Sequence, residues 1–143
     1  MYHYTESGLQ NIWLSNGFHK KRVPGGIAVS IDDADGLHSS IGRALVMRPH
    51  LTGAGLRFLR KALGLSQTRL GELVGASEES VSLWERRGTM PKSADRLVRA
   101  IYLEKLDGPV RIAEMIERLL ALDSPAEEEL VLEHTTTGWK IAA

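Results

Sequence analysis

Residues 67–85 read Gln-Thr-Arg-Leu-Gly-Glu-Leu-Val-Gly-Ala-Ser-Glu-Glu-Ser-Val-Ser-Leu-Trp-Glu, and the reading of this stretch decides the fold. Apolar side chains recur at helical spacing on both sides of a short break: Leu70 and Val74 before it, Val81 and Trp84 after it, with Ala76 between. Gly71 stands where two crossing helices need a residue without a side chain. Gly75, four positions on, tolerates the positive φ that a tight turn demands. Two short helices crossing at roughly 90–120° through such a turn need a small residue at the crossing, a permissive residue in the turn and apolar inner faces. Every one of those slots is filled here.

The neighbouring residues extend the pattern into a helix-turn-helix at about residues 52–88. Leu63-Gly64-Leu65-Ser66-Gln67 links a preceding helix to this pair, and Trp84-Glu85-Arg86-Arg87-Gly88 closes it. Over roughly residues 52–105 the chain resembles the Xre/Cro family of phage-repressor-like regulators. That resemblance implies sequence-specific DNA binding with a recognition helix at about 77–87 lying in the major groove. Gln67 would touch a phosphate and brace the recognition helix, with Thr68 and Ser77 beside it at the interface. Glu78, Glu79, Ser82 and Leu83 map to the base-facing positions. Glutamate departs from the common pattern there: it is repelled by phosphate, although a carboxylate can accept from cytosine N4. The plainer role for Glu78 is to stabilise the helix N-terminus. Leu83 either meets a thymine methyl or borders the core. Arg86, Arg87 and Lys92 form a basic cluster suited to phosphate, and Arg57 and Lys61 face either DNA or solvent. In the family an arginine late in the first helix pairs with a glutamate at the end of the recognition helix, and Arg60 and Glu85 match those positions. The physical case is independent: a carboxylate next to the core residue Trp84 needs a partner, and a guanidinium offers two parallel donors.

Around this unit the chain divides by order into a small β/α region (1–50), the helix-turn-helix domain (51–106) and a C-terminal helix with terminal strands (107–143). Residues 9–31 read as strands: Asn11-Ile12-Trp13-Leu14, an Asn16-Gly17 tight turn, Phe18-His19-Lys20-Lys21, a Pro24-Gly25-Gly26 break and Ile27–Ile31. Asp35 is the expected N-cap of a helix over 36–47, with Leu37, Ile41, Ala44 and Leu45 on one face, ended by Arg48-Pro49-His50. Gly64, Gly75 and Gly88 fit helix-terminating positions. Ser93 is the expected N-cap of the next helix, with Asp95 in its first turn, and Asp107-Gly108-Pro109 breaks it. A further helix is expected over 109–123, with Ile112, Met115, Ile116, Leu119 and Leu120 along one side, and a capped turn at Ser124-Pro125-Ala126-Glu127. Leu130-Val131-Leu132 and Trp139-Lys140-Ile141 read as a strand pair that needs a sheet to join. The fold class is mainly α with a small β part. It combines a phage-repressor-like bundle with a small antiparallel sheet from the N-terminal strands, to which the C-terminal strands are candidates.

Composition is consistent with this reading and excludes others. The 143 residues carry net charge +0, but residues 51–118 hold 12 Lys and Arg against 9 Asp and Glu, while residues 119–143 hold 1 against 5. The positive part coincides with the proposed DNA-binding segment. Cysteine is absent, which removes disulfides and thiolate metal sites and suits a reducing cytoplasm. No apolar run reaches ~18 residues and the start lacks the pattern of a signal peptide, so the expected location is cytoplasmic. The histidines (3, 19, 38, 50 and 134) have no ligand spacing. Asp32, Asp33 and Asp35 lack the closing glutamate of a calcium loop. Gly53-x-Gly55 is not followed by Gly-Lys-Ser/Thr, and no nucleophile elbow occurs. No enzyme, metal or cofactor is expected. Trp84 is expected in the helical core. Trp13 and Trp139 either pack together or offer an anchor to a protein partner.

The domain order is similar to that of MqsA-type antitoxins, in which a small N-terminal domain precedes an Xre-type helix-turn-helix. The zinc-binding Cys-x-x-Cys pairs of that family are absent here, so neither its metal nor its toxin binding carries over. The expectation is a homodimeric repressor or autorepressor of antitoxin-like organisation, with double-stranded DNA as partner and a toxin as a candidate second one. The apolar face of residues 109–123 is the leading candidate for part of the dimer contact. The competing expectation is a protein-interaction module on the same scaffold, with little DNA binding.

Overall fold

Gly75, Gly88 and Gly108 end helices in this chain, whereas Gly36, Gly42, Gly53, Gly55 and Gly71 stand inside them. A computed structural model describes residues 1–108, 114 and 129–142. The expected helix over 109–123, its dimer-contact face and the capped turn at 124–127 lie outside the described residues, Glu114 excepted. The fold is mainly α with a small β part. In chain order it runs β1 (Tyr2–His3), a 3-10 turn (Thr5–Ser7), β2 (Ile12–Leu14), β3 (Phe18–Val23), β4 (Gly26–Ile31), α1 (Ala34–Val46), α2 (Gly53–Ala62), α3 (Gln67–Val74), α4 (Glu78–Arg87), α5 (Lys92–Asp107), β5 (Leu130–Thr135) and β6 (Gly138–Ile141).

The chain packs as two compact units, and these differ from the division by chain order. One joins Met1–Ser40 with the C-terminal strands; the other begins at Ile41 and holds α2–α5. In the first, four strands lie in the order β1-β2-β5-β6. β1–β2 and β5–β6 are antiparallel, but β2 and β5 pair in parallel, Ile12 opposite Leu130 and Leu14 opposite Leu132, so the join between N- and C-terminal strands makes the sheet mixed. Ile12, Leu14 and Leu132 are fully buried. The Asn16-Gly17 dipeptide does not close a hairpin between β2 and β3, as its sequence predicts. Asn16 instead continues the parallel ladder with its side chain: its Oδ1 accepts from the His134 N–H (2.6 Å) and its Nδ2 donates to the His134 carbonyl (3.0 Å). Gly17, at φ +75°, lies where a Cβ would come within 2.5 Å of the Trp139 ring. The true hairpin is β3–β4, closed by Pro24-Gly25 with Val23 opposite Gly26. Trp13 stacks on His3, with ring centroids 4.1 Å apart, while Trp139 lies against His134 and donates to the Asp32 and Asp33 carbonyls. Each tryptophan has its own partners in place of the expected Trp13–Trp139 contact.

Two N-caps move from their predicted places. Asp33, not Asp35, caps α1: its Oδ1 accepts from the Gly36 N–H (3.1 Å), from a backbone at φ +47° that aspartate tolerates better than most residues. Asp35 falls in the first turn, where its charge still suits the helix dipole. α5 starts at Lys92 with Pro91 in the N-cap place and no side-chain cap, so Ser93 is already helical. Thr52, Ser66 and Ser77 cap α2, α3 and α4 by accepting from Gly55, Arg69 and Ser80.

Candidate nucleic-acid interface

The α3–turn–α4 pair is built on close backbone approach. A Cβ on Gly71 would sit 2.5 Å from the Ala76 carbonyl oxygen, so only glycine lets α3 meet the chain entering α4. Gly75 ends α3 at φ +76°, and its amide donates back to the Gly71 carbonyl; Gly88 ends α4 in the same way at φ +79°. The other side of α4 rests on α2 with equal closeness. A Cβ on Gly53 would come within 2.2 Å of the Glu85 carbonyl oxygen. In the sequence Gly53 stands out only as part of a Gly-x-Gly that no phosphate-loop motif continues. Its spacing from Gly55 is uninformative, because the contact it serves is 32 residues away and periodicity does not register it.

Polar groups lock the same inner face. Arg60 donates from Nε to Glu85 Oε2 (2.7 Å) and from Nη2 to Oε1 (3.1 Å), with side chains only 11% and 6% exposed. Arg60 also donates to the Leu65 carbonyl (3.0 Å), and Gln67 Nε2 donates to Glu85 Oε1 (3.3 Å). Glu85 therefore ties the end of α4 to α2 and to the start of α3. Val81, one turn earlier, is fully buried. Trp84, expected in the core, is half-buried. At about 100° per residue it lies some 80° from the line between Val81 and Glu85, on the flank of the inner face rather than its centre.

The outer face of α4 follows from the same geometry. Glu79, Ser82, Leu83 and Arg86 recur at i, i+3, i+4, i+7 and form one stripe. Glu79 and Arg86 are exposed, and Ser82 and Leu83 are partly covered. Arg86 Nε reaches the Ser82 carbonyl at 3.4 Å. Glu78, Arg87, Lys92, Arg57 and Lys61 are exposed, as is Thr68 near the start of α3; Gln67 is half-buried. Glu78 and Glu79 occupy the first turn of α4 and Arg86 and Arg87 the last, both in the sense that suits the helix dipole. Ser77 is exposed, but its hydroxyl is engaged: it accepts from the Ser80 N–H (3.1 Å) and donates to Ser80 Oγ (3.0 Å). The cap thus accounts for Ser77 without a ligand.

One polar cluster in this unit has no counterpart in the sequence reading, which placed Asp95 in a first turn and nothing more. Asp95 and Arg99 are both buried and form an ion pair, with Oδ1 and Nε 2.6 Å apart. Asp95 Oδ2 accepts from the Leu51 N–H (3.0 Å), and Arg99 donates to the carbonyls of Val46, Arg48 and Pro49. Arg99 satisfies carbonyls left open at the end of α1, which Pro49 prevents from continuing. The i, i+4 Asp–Arg spacing was the available signal. A cavity of about 400 Å³ adjoins this pair, lined by Pro49, His50, Leu51, Gly88, Thr89, Met90, Lys92 and Arg96 as well. Among the described residues no group of three or more His, Asp or Glu is placed to hold a metal, and no helix is long and apolar enough to cross a membrane.

Comparison with protein-family models, with curated proteins and with solved structures finds no match to this chain.

Proposed function

We propose that the chain is a sequence-specific DNA-binding regulator that inserts α4 into the major groove and acts as a repressor, in the reducing cytoplasm, rather than as an enzyme. One observation carries the reading. The inner face of α4 is fixed by backbone contacts at Gly53 and Gly71 and by the Arg60–Glu85–Gln67 cluster, which leaves Glu79, Ser82, Leu83 and Arg86 as a rigid outward stripe. A pre-set helix face of roughly this width suits a groove about 12 Å across. Arg86, Arg87 and Lys92 follow where phosphates would flank the helix. An autorepressor paired with a toxin is the more specific form of this proposal, and it rests on domain order alone.

The test separates position from specificity. Arg86→Ala or Arg87→Ala is expected to weaken binding to every duplex and to flatten the dependence on salt by about one unit of slope per lost phosphate contact. Ser82→Ala or Glu79→Ala is expected to change which sequence is preferred in a selection from random duplexes. If all four variants bind like the parent, α4 does not dock as described. The second reading, a protein-interaction module, is favoured by one observation: Glu78 and Glu79 are both exposed at the leading end of α4. It requires little binding to random duplex at either low or moderate salt.

A further inference from the structure

The hairpin β3–β4 stands apart from the rest of the described chain in its exposure. From Phe18 to Ile31 only Phe18, Val29 and Ile31 are even half-covered; every other residue is exposed. Two-stranded ribbons are marginal in water unless something packs on them, and here only the base is held. Tyr2 lies 5.4 Å from the Phe18 ring, and Asp32, just past β4, pairs with His19 at 2.9 Å. Beyond the base come Lys20, Lys21 and Arg22, and residues 18–31 contain no acidic residue. Asp32 is already engaged by His19, and none of the three cations is ion-paired among the described residues. The register puts Lys20 and Arg22 on one face, opposite Val29 and Ile27, and Lys21 on the other, opposite Ala28. Lys20 Nζ lies over the Tyr2 ring, 5.8 Å from its centroid.

Three cations on a ribbon that holds no acidic residue, with no carboxylate paired to them among the described residues, complement a polyanion. Lys20 and Arg22, two positions apart on one face, are about 7 Å from each other. That is within reach of neighbouring phosphates on one DNA strand, which recur every ~3.4 Å along the duplex axis. We propose that the β3–β4 ribbon is a second, sequence-independent contact with duplex DNA, made through Lys20, Lys21 and Arg22 to backbone phosphates. The proposal rests on the DNA-binding reading of α4 and adds to it a separate surface on the other compact unit.

The experiment measures affinity of the full chain for random 25-base-pair duplex across a salt series. The variant Lys20→Ala/Lys21→Ala/Arg22→Ala is expected to lower the salt slope by about 2–3 and the affinity at 0.1 M salt on the order of 10²-fold, at about 0.9 per contact. Sequence preference should be unaltered. Because all three side chains are exposed, the melting temperature should also hold. Lys20→Arg/Lys21→Arg/Arg22→Lys, which keeps the charge, should keep the parental slope. If the alanine variant keeps the parental slope while Arg86→Ala/Arg87→Ala loses its own share, the ribbon contact is refuted and the α4 reading stands. A parent that binds no duplex at low salt refutes both. A parallel titration with poly-glutamate provides the last outcome. If the alanine variant loses poly-glutamate but keeps its DNA slope, the partner is an acidic polypeptide and the DNA contact is overturned.

Discussion

Glu85 accepts from three donors at once, two on Arg60 and one on Gln67, and almost none of its carboxylate reaches water. Removing one partner of such a pair leaves a buried charge without compensation, which costs about 3–5 kcal/mol when burial is complete. Glu85→Ala is therefore expected to destabilise the helical unit by more than ~1.5 kcal/mol, above the ~0–1 kcal/mol of an exposed pair. A double-mutant cycle with Arg60→Ala in urea unfolding measures the coupling, and a value near zero would contradict the geometry described. His38 offers a residue-level test in the other unit. Its Nε2 lies 2.7 Å from the Tyr4 hydroxyl, and burial holds its pKa below the usual 6.5, with Asp35 opposing the shift only in part. Between the lowered native value and 6.5 the unfolded chain binds more protons than the native one, so stability rises with pH across that window. The contribution of His38 is complete above pH 6.5 and is lost as pH falls through the window to the native pKa. The melting temperature should drop on acidification below pH 6.5, and His38→Gln should flatten that part of the profile. A parent profile flat from pH 7 to pH 5 would rule the effect out.

At the scale of elements, the angle between α3 and α4 depends on Gly71. Gly71→Ala places a methyl group 2.5 Å from a backbone oxygen, which no side-chain rotation relieves. The expected loss is about 1–3 kcal/mol, the range for overpacking, together with weaker DNA binding because α4 must tilt. A variant as stable as the parent in urea would show that the crossing has slack. This crossing was legible in the sequence because glycine, apolar periodicity and the turn are all local, and so were Arg60 and Glu85, which lie on helices whose facing sides could be counted. The strands were less legible. Asn16-Gly17 has the composition of a hairpin turn, and composition does not reveal that the Asn16 amide pairs with a peptide group 118 residues away. The caps of α1 and α5 each lie two residues before the predicted ones: neighbouring aspartates compete at α1, and at α5 Pro91 opens the helix with no side-chain cap. Gly53 was misjudged for the same reason as Asn16: its partner is distant in the chain.

For the whole molecule, the proposed docking of α4 in a major groove calls for a second copy, because one such helix buries too little surface for specific affinity. The chain is expected to bind DNA as a two-fold dimer on an inverted repeat with half-site centres about 10–10.5 base pairs apart, or a multiple of that. Light scattering at micromolar concentration with footprinting checks this, and a monomer bound one to one on a non-palindromic site would refute it. The parallel pairing of β2 with β5 bears on how the molecule comes into being. Contacts within α2–α5 are closed over tens of residues, while Ser15 waits for Leu132 across 117. Local contacts form quickly and distant ones late. On the ribosome, at about 5–20 residues per second, the helical unit can be complete while β2 still lacks its neighbour, for roughly one to six seconds. During that interval the side chains of Ile12 and Leu14 and one whole edge of β2 stay open. Strands made before the helical unit find their places after it, and the nascent protein passes through a stage in which α4 is already formed while β1 and β2 remain available to other chains.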